Sequence, residues 1–322
     1  MVAPVLAAGP RHAVDVRFRL ERPLDLARTL GPVRRGRGDP CLHVAGTDVV
    51  RAARTPEGPA TTWIRHEGEE LRVRAWGPGA RWAADQVPDL VGEGRDPDEL
   101  TALLATVDRP EVGLLRDLHR RHAGVRVPRT AAVVEALVPT ILEQRVTSAG
   151  ARRSHRSLVL AHGAPAPGPP EVAGRLRLPV APARLARLPS WTFHHHEVER
   201  RRADTIRRVA TRGRALDAAA ALPLDDAYRR VRAIPGVGPW TAGGIGGVAL
   251  GDPDAVVVGD LHLPHMVSWL LRRVPRSSDE EMLELLAPYR GQRGRVLRLV
   301  GLAGAGVPRF GPKRVNPRIS RL

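Results

Sequence analysis

The chain has 322 residues with 51 Lys+Arg against 34 Asp+Glu, a net charge of +17 that points to a polyanionic partner such as nucleic acid. Its length allows two or three packed domains. A single cysteine, Cys41, excludes an internal disulfide and a Cys-ligated iron–sulfur cluster, and fits a reduced, cytoplasmic protein. The opening MVAPVLAAGPRH lacks the basic flank and apolar length of a signal peptide, and no run reaches membrane length, so no membrane association is expected.

Residues 14–21 alternate, with Val14, Val16, Phe18 and Leu20 opposing Asp15, Arg17, Arg19 and Glu21, the period of a half-buried strand. Extended stretches follow at 41–53 and 60–76, the second split by the turn His66-Glu67-Gly68-Glu69. Together these predict an antiparallel sheet with flanking helices over residues 1–95. Beyond GEGRDPDEL (92–100) the spacing becomes helical, at Leu103 and Leu104 and then at Val134, Leu137, Val138, Ile141 and Leu142. The expected fold class is therefore α+β, with a mostly helical domain over 96–322. The Pro/Ala-rich stretch 164–183 predicts a loop, because proline at that density cannot sustain a helix.

Residues 227–265 read as helix, tight turn, helix, extended link and a further helix. In Pro235-Gly236-Val237-Gly238 the glycines permit a sharp turn and close backbone approach, and Pro239 suits the first position of the next helix. Free amides at such a helix start can hold an anion, so the hairpin over 227–250 can grip a DNA phosphate without a charged side chain. Alone, Pro-Gly-x-Gly is more often a plain turn.

What surrounds the turn weighs against the plain reading. The chain resembles the helix-hairpin-helix (HhH–GPD) superfamily, and within it the AlkA-type 3-methyladenine DNA glycosylases, whose signature is this hairpin followed by a catalytic aspartate. Asp260 follows Gly236 by 260 − 236 = 24 residues, the spacing of that family. The likeness extends to the β-rich front, to ILEQRVTSAGA (141–151), RRADTI (201–206) and APYRGQR (287–293).

The resemblance implies a monofunctional glycosylase of base excision repair, a monomer that acts on double-stranded DNA containing damaged bases and cuts the N-glycosidic bond of alkylated purines. It implies Asp260 as the catalytic carboxylate, Trp240, Tyr289 and the position of Gly244 as the lining of the base pocket, and Gln144 and Arg145 at the wedge that fills the hole left by the flipped base. Gly236, Gly238 and Thr241 match phosphate contacts, and the carbonyls of Arg232, Ile234 and Val237 match a Na⁺ or K⁺ site. Lysine stands at the position of Trp240 in the bifunctional relatives, and the only lysine here is Lys313, so no lyase activity is expected.

Each of these residues also has a plainer reading. Asp260 can be a helix cap, Trp240 and Tyr289 core packing, and Arg145 a solvated surface cation. The run Gly243-Gly244-Ile245-Gly246-Gly247 departs from the family, which carries larger side chains there; it leaves room for a bulky adduct or lets the helix pack closely on a neighbour. His194-His195-His196 and the pair His262 and His265 only weakly invite a metal, because adjacent side chains diverge. The rival from another class is a non-catalytic DNA-binding protein that uses the hairpin for grip alone.

Overall fold

A computed structural model of the chain describes residues 13–94, 98–304 and 306. Lys313 and the opening MVAPVLAAGPRH lie outside them. Five strands form one antiparallel sheet: β1 (Val14–Arg19), β2 (Leu42–Ala45), β3 (Asp48–Thr55), β4 (Gly58–Glu67) and β5 (Glu70–Trp76), in the order β1-β5-β4-β3-β2. β1 alternates as the pattern predicts, and Phe18 faces Leu71 across the ladder. The stretch 41–53 is not one extended segment: Gly46, at φ +60°, turns the chain and Ala45 pairs with Asp48 across a two-residue loop. The hydrophobic count passes over this turn because apolar residues flank it on both sides.

The inner face presents Val49, Ile64, Leu71, Val73 and Ala75 to the short helices Leu26–Thr29, Ala80–Asp85 and Val87–Leu90, closing a first core. A second core is helical, centred on Val133–Leu142, whose residues are buried apart from a half-buried Glu135, and on the helices Arg200–Thr211, Leu224–Arg232 and Pro239–Ile245. The third joins Val112–Arg121 to the distant helices Leu263–Arg272, Asp279–Leu286 and Arg293–Leu302. The helical region expected over 96–322 thus carries two cores.

Sheet and helices are keyed together by Glu135, which accepts from Arg51 Nη2 at 2.9 Å and from the main-chain N–H of Arg54 at 2.6 Å. Burial pushes its carboxyl upward, and the Arg51 guanidinium opposes that shift. The proline-rich stretch 164–183 is not wholly a loop either. Pro170 and Pro182 each open a single-turn or slightly longer helix, Pro170–Ala173 and Pro182–Arg187, at the position where proline's missing N–H costs nothing.

Candidate active site

The hairpin follows from its local sequence. Asp225 and Asp226 sit in the first turn of Leu224–Arg232 and Arg229, Arg230 and Arg232 in its last, matching the helix dipole at both ends. The chain then turns through Gly236 at φ +97°, where a Cβ would also stand 2.3 Å from Thr205 Oγ1. Conformation and space both require glycine there. Gly238 has nothing within 4 Å of where a Cβ would sit, so its surface side is open to a ligand's close approach. Pro239 begins the next helix as expected, leaving the amides of Trp240 and Thr241 without an intrahelical acceptor.

Gln144 braces this turn: its Nε2 donates to the Gly236 carbonyl at 3.0 Å and to Thr241 Oγ1 at 2.9 Å. The Thr241 hydroxyl is buried and accepts from Gln144, which leaves its own O–H and its main-chain N–H as donors. Gln144 spends its amide nitrogen on the protein. Arg145, the next residue, is exposed and holds φ +58°, a left-handed conformation that costs a non-glycine residue about 1–2 kcal/mol. It stands at the bend between Val133–Leu142 and Ser148–His162, whose start is capped by Thr147.

The glycine run resolves largely into close packing. A Cβ on Gly243 would meet the Val256 carbonyl at 2.3 Å, and one on Gly246 the Tyr228 hydroxyl at 2.0 Å. At Gly244 the neighbour is Thr140 Cγ2 at 3.0 Å, and Gly247 alone is nearly open, with the Asp252 carbonyl at 3.9 Å. The helix relaxes into a π turn at Gly246–Leu250, whose Val248 and Ala249 carbonyls accept from the N–H groups of Thr130 and Ala131. The extended link to Asp260 therefore runs directly against the hairpin helix.

Asp260 stands just ahead of helix Leu263–Arg272. Its Oδ1 accepts from the N–H groups of His262 at 2.8 Å and Leu263 at 2.9 Å, and its Oδ2 from Trp240 Nε1 at 3.2 Å. A carboxylate offers about four acceptor positions. The arrangement thus orients a half-buried carboxylate and leaves it acceptor capacity toward solvent. Capping and chemistry are compatible here, and Leu261, 62% exposed, flanks the carboxylate.

Tyr289 is not brought to this site. It is fully buried in the third core and donates to Glu111 Oε1 at 3.1 Å, with burial and that carboxylate driving its phenol pKa upward. This corrects the pocket role inferred from the resemblance. His196 turns inward, its two ring nitrogens meeting Ser157 Oγ at 2.7 Å and His162 Nε2 at 3.1 Å, whereas His194 and His195 are exposed. His265 Nδ1 accepts from the Ser277 N–H. Among the described residues no three His, Cys, Asp or Glu side chains gather as a metal site.

The sequence reading missed the fastening of the link. Arg293, inside the APYRGQR segment already singled out, donates from Nε to Asp254 Oδ1 at 2.9 Å. Burial alone would raise the Asp254 pKa, but the hydrogen bonds from Arg293 outweigh it and hold the carboxyl below its usual range. Tyr228 donates to Asp252 Oδ2 at 2.6 Å, two residues earlier on the link. A remote Asp–Arg pair leaves no periodic trace, so neither could be read from spacing.

No family model matches the sequence. Two curated sequences from strains of Mycobacterium tuberculosis, each described as a probable bifunctional transcriptional activator/DNA repair enzyme AlkA, are 33% identical over 153 residues, 46% of this chain and 29% of theirs. The matched region thus spans under a third of those relatives. Among solved structures, a 3-methyladenine DNA glycosylase from Archaeoglobus fulgidus superposes with TM-score 0.74 at 18% identity, covering 89% of this chain and 97% of that one. An 8-oxoguanine glycosylase/lyase from Clostridium acetobutylicum, in complex with double-stranded DNA, gives 0.65 at 14% over 88% and 93%. The chain has the α+β fold of these DNA glycosylases.

Proposed function

We propose that the protein is a monofunctional DNA glycosylase of base excision repair that hydrolyses the N-glycosidic bond of alkylated purines of the 3-methyladenine or 7-methylguanine type. The observation that carries this reading is Asp260, a carboxylate fixed by three N–H donors and lying beside the hairpin that would grip the backbone. As the C1′–N bond breaks, its electron pair leaves with the base and positive charge develops on the deoxyribose. A fixed carboxylate stabilises that charge and orients the attacking water, whose proton passes to Asp260 or to solvent. The products are free base and an abasic site. A cationic purine leaves readily, and the half-buried Trp240 ring can stack on it for about 0.5–2 kcal/mol.

Double-stranded DNA is the partner this reading requires, and the +17 charge supplies the attraction. Arg145 would fill the hole that the extruded base leaves. A Na⁺ or K⁺ ion in the hairpin would rest on the carbonyls of Arg232 and Val237 and share that of Ile234, which already accepts from the Val237 N–H at 2.9 Å. Its contribution would be to rigidity. Among the described residues no helix is long and apolar enough to cross a membrane.

The test is an excision screen across duplexes carrying alkylated, deaminated and bulky purines, with product strands assayed before and after alkali. Intact abasic sites on alkylated DNA are expected. Nicking without alkali, or a borohydride-trapped adduct, overturns the monofunctional assignment; no excision of any lesion, with DNA still bound, favours the non-catalytic binder.

A further inference from the structure

We infer that Asp279 is a positioning residue for Asp260, a role that rests on the base-excision reading for its effect on rate but not for its effect on structure. Asp279 belongs to the first turn of helix Asp279–Leu286, far from the link in sequence, yet its Oδ2 accepts the Gly259 N–H at 2.8 Å. Gly259 immediately precedes Asp260. It stands at φ +87° with nothing within 4 Å of where a Cβ would sit, so the backbone turn, not crowding, selects glycine there. That turn aims the next side chain, and Asp279 is the side chain that holds it.

The helix start does not need Asp279 for its own closure. Ser278 caps it, taking the Glu281 N–H on Oγ at 3.3 Å, while Glu281 Oε2 returns the contact to the Ser278 N–H at 2.9 Å, a complete capping box. Nor does the second Asp279 oxygen serve the protein: Oδ1 is buried without a hydrogen-bond partner. Asp279 is half-buried, and leaving one oxygen unpartnered costs stability; against that cost stand its place in the first turn of the helix and its contact with Gly259.

The same segment also reaches the far side of Asp260. The Ser277 N–H donates to His265 Nδ1 at 3.1 Å, on the helix that follows the carboxylate. The platform beneath is rigid, because Met282, Leu285 and Leu286 pack with Val267, Leu270 and Leu271 in the third core. Asp260 is therefore suspended between two tethers from one strap, one before it and one after.

The experiment compares Asp279→Ala and Asp279→Asn with wild type by three readouts: single-turnover excision of an alkylated purine, binding to abasic-analogue duplex, and amide hydrogen exchange at Gly259 and the residues to Leu263. Melting temperature serves as the folding control. Asparagine keeps a carbonyl oxygen for the Gly259 N–H, so it should stay within about threefold of wild type, whereas alanine should slow excision by about tenfold or more with binding changed less than about threefold. Gly259 exchange should accelerate in the alanine variant alone. Unchanged Gly259 exchange in Asp279→Ala overturns the proposal, as does an equal loss of rate in both variants, which would indicate a role for charge instead of position. If wild type excises nothing, the base-excision reading fails and Gly259 exchange alone decides the positioning role.

Discussion

In the N-terminal sheet, position is held by long side chains: Asp48 accepts from Arg65 at 2.7 Å and from Trp63 Nε1 at 3.2 Å, and Asp15 accepts from Arg72 and Arg74. In the hairpin and its link, position is held by missing ones. Gly243 lets the helix meet the Val256 carbonyl, and Gly246 admits the Tyr228 hydroxyl that in turn holds Asp252. Exposed ion pairs contribute about 0–1 kcal/mol each and adjust when one partner changes. Backbone contacts have no such give, because even one methyl group forces a shift. The link leading to Asp260 is thus built of intolerant contacts and the sheet's surface of tolerant ones, although the turns at Gly77 and Gly79 beside the sheet are as tight as the link.

The sharpest way to break that contrast is to remove the charge and keep the shape. Asp260→Asn should lower single-turnover excision by about 10²–10³ while leaving folding and DNA affinity intact or improved, since asparagine can still accept from His262 and Leu263. Excision within about threefold of wild type would remove Asp260 from the chemistry.

Next come the glycines. Gly243→Ala and Gly246→Ala should each destabilise by about 1–3 kcal/mol in denaturant melts, because the new methyl group would lie 2.3 Å from the Val256 carbonyl and 2.0 Å from the Tyr228 hydroxyl that Asp252 holds. Gly247→Ala, with open space beside it, should be neutral or stabilise by up to about 1 kcal/mol. In the sheet, Asp48→Ala should cost less than about 1 kcal/mol; a larger loss there than at Gly246 would reverse the comparison.

Arg145→Ala should weaken excision from paired duplex more than from a mismatched one, by severalfold, because extrusion from a mismatch is cheaper. Equal losses would mark Arg145 as a surface cation. A separate prediction concerns the seam between the two regions, where burial pushes the His155 imidazole down to about 4. An unfolded histidine takes a proton below about 6.5 and the folded one does not until about 4, so stability should fall as pH drops through that window. His155→Gln should flatten that slope in melting curves taken across it.

Legibility follows the same division. The alternation of β1 and the heptad-like spacing of Val133–Leu142 are periodic, and periodicity is what a single sequence records well. The hairpin turn was legible for another reason, the glycines and proline that its sharp bend demands, whereas Asp260 was singled out by the resemblance. Tyr289 misled because family position says nothing of which way a ring turns once Glu111, 178 residues away in sequence, offers its phenol an acceptor. The contact that Gln144 makes to the Thr241 hydroxyl from 97 residues off was likewise invisible. Asp254–Arg293 and Asp279–Gly259 were silent altogether, being products of tertiary placement.

Helix Val133–Leu142 is tied at both ends to the hairpin helix, through Thr130 and Ala131 to the π turn and through Gln144 to Gly236 and Thr241. Its outgoing end carries Arg145, and the hairpin helix carries Trp240 on Asp260. On the proposed function, the wedge and the grip are mounted on one doubly bolted beam, with the carboxylate touching it through Trp240, and cannot close on a substrate the way jaws do. On the same reading, the deformation needed for extrusion then falls on the nucleic acid, which must kink to meet a stiff template. Sequences that bend easily would be searched faster than rigid ones, giving the protein a preference written in DNA flexibility and not in base identity.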